Sequence, residues 1–137
     1  MSIASTITGP CLCGGVNFEY SGIVGPANYC HCEDCRRCTG SAFNIGVRFE
    51  RSKFRIISGT PNRFTKRGES GRELTRHFCP GCGSPIFTSA PKHPDLVYVK
   101  AGVFDDPSVI HPTHQNPGVS RPRAASPQAP ECRPVGR

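Results

Sequence analysis

The stretch Phe78-Cys79-Pro80-Gly81-Cys82-Gly83-Ser84-Pro85-Ile86-Phe87 decides how this chain folds. Two thiols three residues apart on a Pro-Gly turn converge on one point, at about 2.3 Å from a shared zinc ion. Gly83 lets the chain turn and aim backbone N–H groups at the sulfurs. Two ligands do not fill a tetrahedral ion, and a second pair lies near the start of the chain, in Cys11-Leu12-Cys13 followed by Gly14-Gly15. Cys11, Cys13, Cys79 and Cys82 together make a closed four-thiolate site, the structural type. Such a site ties the N-terminal segment to a turn about seventy residues later.

Between the two pairs stands Cys30-His31-Cys32-Glu33-Asp34-Cys35-Arg36-Arg37-Cys38. Cys30, Cys32 and Cys35 give three metal ligands within six residues, which leaves one coordination position open, as in catalytic zinc. That position takes water, or a thiol whose pKa the metal lowers. These three cysteines are therefore the candidate catalytic group, and the seven ligands imply two Zn²⁺ per chain. Arg36 and Arg37 beside them are candidates for holding a substrate carboxylate; the competing reading is a solvated pair at a helix end. Cys38 has two readings as well, a fourth ligand that closes the site or a surplus thiol. On an extended Cys-His-Cys segment the His31 side chain points away from both neighbours, which makes it a supporting or surface group rather than a ligand. Glu33 and Asp34 are either an acid or base near the metal or ordinary helix-start charges. Cys32-x-x-Cys35-x-x-Cys38 also has the spacing of part of an iron–sulfur run, but that reading leaves Cys11, Cys13 and Cys82 unexplained.

Composition agrees with metal-assisted folding. The chain has 137 residues, 8% of them aromatic and none of them Trp, enough for one domain with a modest core. A structural metal offsets that shortage. No apolar run approaches a transmembrane length, and Met1-Ser2-Ile3-Ala4-Ser5 lacks the build of a signal peptide. A soluble, cytoplasmic protein is expected, and in that reducing compartment clustered cysteines read as metal ligands rather than disulfides. The net charge of +7 raises a nucleic-acid reading. Residues 116–137 carry +3 of it, however, the remaining basic residues are scattered, and seven thiolates with two Zn²⁺ subtract three more. A small acidic molecule is the better partner.

Short runs rich in β-branched and aromatic residues, bounded by Gly and Pro, recur along the chain: Val16–Tyr20, Phe43–Phe49, Phe54–Ile57, Glu73–Phe78, Ile86–Thr88 and Leu96–Lys100. Phe43, Ile45, Val47 and Phe49 alternate onto one face. These runs predict a mostly β domain of short antiparallel strands over residues 5–115. One helical turn is expected at Glu33–Cys38, and a turn or helix start at Asp105–Ser108. Residues 116–137 hold five of the fourteen Pro and no aromatic residue, Leu, Ile or Met, which predicts a disordered Arg/Pro-rich tail with Cys132 as a free thiol.

Taken in order, Cys11-Leu12-Cys13-Gly14, Cys30-His31-Cys32-Glu33-Asp34-Cys35-Arg36-Arg37 with Thr39-Gly40-Ser41, the Phe78–Phe87 stretch and Val97-Tyr98-Val99-Lys100-Ala101-Gly102-Val103-Phe104-Asp105-Asp106-Pro107 resemble the GFA family. These are the glutathione-dependent formaldehyde-activating enzymes, which share a domain with centromere protein V. The resemblance runs over about residues 8–115. It implies a zinc-stabilised β-tent, structural zinc on Cys11, Cys13, Cys79 and Cys82, and catalytic zinc on Cys30, Cys32 and Cys35. It also implies a carbon–sulfur lyase (S-(hydroxymethyl)glutathione synthase type), in which a thiol such as glutathione takes the open zinc position and adds to formaldehyde or a related small electrophile. Cations for the two glutathione carboxylates would come from among Arg36, Arg37, Arg48 and Lys100. The alternative is a non-enzymatic zinc-binding adaptor with both metals structural and Cys38 as the closing ligand. Cys38 departs from the family pattern, as does the Arg/Pro-rich segment in place of a further strand with aromatic residues.

Overall fold

The computed structural model describes residues 6–68, 71–110 and 112–115. The apolar alternation becomes ten short strands: β1 Ile7–Pro10, β2 Asn17–Tyr20, β3 Ala27–Cys30, β4 Asn44–Glu50, β5 Phe54–Ser58, β6 Asn62–Arg67, β7 Glu73–Phe78, β8 Pro85–Ser89, β9 Leu96–Lys100 and β10 Pro112–Gln115. A single α-helix, α1, spans Glu33–Thr39. Asp106 begins a short 3₁₀ turn over Pro107–Val109, its carboxylate accepting from the Ser108 N–H at 3.0 Å. The tail expected over 116–137, with Cys132, lies outside the described residues.

The strands form two sheets. A three-stranded sheet has the order β1-β2-β5, and a seven-stranded sheet the order β10-β3-β4-β9-β8-β7-β6. All pairings are antiparallel except β10 with β3, which is parallel and has a register shift between Pro112 and His114. Sequence reading missed that strand, along with β1, β3 and β6. β6 occupies the outer edge of the large sheet with all six residues exposed, and Arg63, Lys66 and Arg67 stand on it. Charged residues on an open edge oppose pairing with a second chain.

The core lies where the inner faces of the sheets meet. Phe18 and Tyr20 alternate inward from β2, Val47 and Phe49 from β4, and Val97 and Val99 from β9; all six are buried. Of the face predicted from alternation, Val47 and Phe49 form its deep end, while Phe43 and Ile45 are half-buried toward the start of β4. Phe18 contacts the rings of Phe49, Phe54 and Phe104 at 5.6–6.2 Å. Tyr20 stacks on Phe49 with centroids 3.6 Å apart. These rings supply the large apolar area that a Trp would otherwise contribute.

Tyr20 also carries a polar task at the core's edge. Its hydroxyl donates to the Ile23 carbonyl at 2.7 Å and accepts from the Glu50 N–H at 3.1 Å, joining the β2–β3 loop to the end of β4. Tyr20→Phe keeps the ring stack but strands both backbone groups. It is expected to cost about 1–3 kcal/mol, read as a lower urea midpoint at unchanged m-value.

Candidate metal centres

Both halves of the first centre are hairpin turns. Cys11 and Cys13 sit between β1 and β2, where the Cys11 N–H bonds the Val16 carbonyl at 2.9 Å; Cys79 and Cys82 sit between β7 and β8, where the Cys79 N–H bonds the Ser84 carbonyl at 2.9 Å. Gly14 and Gly83 close the two turns at the same φ of 79°, a left-handed conformation that glycine adopts without strain. Their N–H groups reach the carbonyls of Cys11 and Cys79 at 3.0 and 2.8 Å. The turns belong to different sheets, yet the four sulfurs lie within 4.8 Å of one another.

The spacing identifies what these thiols do. Cys11–Cys13 and Cys13–Cys79 sulfur distances are 3.6 and 3.7 Å. A disulfide needs about 2.05 Å, whereas tetrahedral thiolates at about 2.3 Å from one ion stand about 3.8 Å apart. Backbone N–H groups of Val16, Gly15 and Gly81 point at Cys11, Cys13 and Cys79 at 3.2, 3.4 and 3.3 Å, and the Ser84 hydroxyl lies 3.2 Å from Cys82. The Ser84 hydroxyl and then its backbone bring the Cys82 thiol down to about 5. Cys13 goes the other way: its Gly15 N–H favours the thiolate, but Cys11, Cys79 and Cys82 together push it up to about 11. Four thiols so placed ionise together only around a cation, and the all-sulfur donor set fits a soft, tetrahedral one.

The second centre is built on one local segment. Cys30 ends β3, paired opposite Asn44 of β4. Cys32 is the N-cap of α1, its sulfur accepting from the Cys35 N–H at 3.4 Å, and Cys35 stands in the first turn. Gly40, in the left-handed conformation, ends the helix through its N–H to the Arg36 carbonyl. The three sulfurs lie within 4.8 Å of one another. The Cys30 contact, then burial, then the negative charge of Cys30 and Cys32 push Cys35 far above the ordinary thiol range, and burial leads the rise of Cys32. A divalent cation between them would reverse that opposition.

Cys38 is not part of this group; its sulfur lies 3.9 Å from the ammonium of Lys100 instead. The closed-site reading, which needed Cys38 beside Cys32 and Cys35, therefore loses its geometry, and the iron–sulfur reading still leaves Cys11, Cys13 and Cys82, now gathered with Cys79, unexplained. His31 contributes no ligand atom either, and it is buried against the rings of Tyr29 and Phe43 rather than set at the surface. Glu33 pairs with Arg37 at 2.8 Å, and Asp34 with Lys66 of β6 at 2.6 Å. Both carboxylates are thus ion-paired.

Beside the centre a groove of about 490 Å³ opens between α1 and strands β6 to β9. Its walls carry Arg37, Lys66, Arg76 and Lys100, with Phe64 and Phe87 among its apolar lining. Of the expected cations, Arg37 and Lys100 are there, and Arg36 and Arg48 are not. Asn44 and Arg76 had no signal of their own: each is a polar residue in an alternating strand, and sheet order brings Arg76 to the groove and Asn44 to the Lys100 ammonium.

Two clustered thiol groups on a small two-sheet scaffold define a cysteine-rich domain able to hold two metal ions. The sequence model described as glutathione-dependent formaldehyde-activating enzyme matches residues 6–116. The chain belongs to that family. It is 30% identical over 109 residues to a Halomonas elongata protein provisionally named a glutathione-dependent formaldehyde-activating enzyme, a match covering 72% of this chain and 66% of the relative, just under two thirds of its length. A crystal structure of a Rhodobacter sphaeroides protein shares the fold, with a TM-score of 0.61 at 23% identity over 80% of this chain and 99% of the other.

The two centres should respond differently to ligand loss. Cys79→Ala breaks a link between sheets, and a structural metal's contribution of about 10 kcal/mol rivals the whole stability of a domain this size. Circular dichroism should show this variant largely unfolded at 25 °C. Cys35→Ala should keep the wild-type spectrum.

Proposed function

We propose that the chain is a zinc-dependent carbon–sulfur lyase that joins a small thiol such as glutathione to formaldehyde or a related small electrophile, and releases it in reverse. The observation that carries this reading is the three-thiol group of Cys30, Cys32 and Cys35, which no fourth ligand among the described residues completes. Cys11, Cys13, Cys79 and Cys82 would hold a second, structural zinc. When bound, zinc on the three-thiol group supplies an open position that keeps a substrate thiol ionised at neutral pH.

The protein's own residues then fix the surroundings. The N-cap bond from the Cys35 N–H holds the Cys32 sulfur at the mouth of α1. The Lys100 ammonium, buried at the end of β9 and bonded to Asn44 at 2.8 Å, offsets the negative charge of the thiolate group. Arg37 stands on the groove wall, where it can meet a carboxylate once released from Glu33. Arg36 does not line the groove. The family and the reducing conditions that such thiols require support a cytoplasmic setting. Among the described residues no helix is long and apolar enough to cross a membrane.

Metal analysis combined with a glutathione titration tests this. The expected result is two zinc per chain, falling to one in Cys35→Ala, with a glutathione-dependent change in the cobalt-substituted protein's absorption that the variant lacks. Exchange between glutathione and S-(hydroxymethyl)glutathione, followed by NMR, should fall to the uncatalysed rate in the same variant. One zinc in the wild type, or two with no response to the thiol, would sink the proposal.

A further inference from the structure

We infer that the groove beside the three-thiol group is a carboxylate-binding site, with the Lys100 ammonium and the Arg76 guanidinium as its anchors. The argument begins with charge. A buried ammonium is costly unless something balances it, and Lys100 is only 7% exposed. Its bonded partner, Asn44, is neutral, and the Cys38 sulfur at 3.9 Å is its other contact. Among the described residues, no carboxylate forms an ion pair with Lys100 or Arg76. The other two cations of the groove are paired, Lys66 with Asp34 and Arg37 with Glu33. Asp34 is the groove's only acidic lining residue among those described, and Lys66 already holds it. The cavity thus presents Arg76 with no acidic partner and Lys100 with thiol sulfurs but no carboxylate beside it.

Shape narrows the ligand. At about 490 Å³ the groove is far larger than a one-carbon carbonyl needs. Aromatic residues, Phe64 and Phe87 among them, offer an apolar surface alongside the cations. A guanidinium and an ammonium on one wall fit a carboxylate through charge-assisted hydrogen bonds. The carboxylate belongs either to the thiol or to the carbonyl compound, a 2-oxo acid in the second case. Only this choice of bearer rests on the lyase reading; the anion site itself does not.

Cys38 provides a reporter, since it lines the same groove, touches Lys100 and is no ligand of either centre. The zinc-loaded full chain is treated with iodoacetate, which carries a carboxylate, or with neutral iodoacetamide, and modification of Cys38 is followed by peptide mass mapping. Both reagents need the same thiolate, so the ratio of their rates isolates recognition of the carboxylate. In Lys100→Met the ratio should fall about tenfold, the scale of one charge-assisted bond, and it should also fall in Arg76→Gln. Protection of Cys38 by glutathione but not cysteamine assigns the carboxylate to the thiol; protection by glyoxylate alone assigns it to the carbonyl compound. A ratio within about twofold of wild type, less than one net hydrogen bond, overturns the inference when found in folded Arg76→Gln and, where it folds, in Lys100→Met. Because no thiol has to bind zinc in this assay, its failure is separable from a failure of the lyase proposal.

Discussion

Two hairpin tips from different sheets meet at four sulfurs, and the rest of the molecule depends on that meeting. The β1–β2 tip belongs to the small sheet and the β7–β8 tip to the large one, with the Cys13 and Cys79 sulfurs 3.7 Å apart across a separation of 66 residues. The core between the sheets is rich in rings but small, so a metal held by these sulfurs would supply a cross-link that burial alone does not. Holding the sheets together also sets the position of β9 and β4, and hence of Lys100 and Asn44. The Cys79–Cys82 turn also meets the groove directly, since Phe78, Gly83 and Pro85 are among its lining residues.

The second centre is a problem in crowded charge. Three thiols within 4.8 Å resist ionising together, and the Cys30 contact, burial and mutual repulsion all push Cys35 upward. The fold answers with cations at two ranges. A metal would act at the centre, and Lys100 acts from the edge, inside the same low-dielectric region. Burial lowers the pKa of Lys100, while the nearby thiols of Cys38, Cys35 and Cys30 act to raise it. Thiolates formed at the centre and the buried ammonium would stabilise each other's charged forms.

Much of this was legible in the order of residues because it was local. Both knuckles, the three-thiol run and α1 lie within short windows where spacing alone fixes geometry, and the alternation of Phe43 to Phe49 marks β4 directly. The missed strands had no such mark. β1 is Ile-Thr-Gly-Pro, and β6 has every residue exposed, so neither shows an apolar face. β6 forms because β7 offers it a full antiparallel ladder from Asn62–Phe78 to Arg67–Glu73. The groove was illegible for the same reason: Cys38, Arg76 and Lys100 come from three elements whose adjacency exists only once the sheet order is known. The burial of His31 likewise depends on Phe43 folding back over β3.

The two thiol groups also differ in when they become complete during synthesis. Cys30, Cys32 and Cys35 leave the ribosome within six residues of one another, as a finished set of donors. The four-sulfur link has only Cys11 and Cys13 at that stage and waits for Cys79 and Cys82, with four more strands, β4 to β7, made in between. Closing so long a loop is the slower and entropically costlier event. For that interval the nascent chain carries one complete set of three thiols and one half-built set of four, so any metal taken up by the local group would be captured before the step that brings the two sheets together.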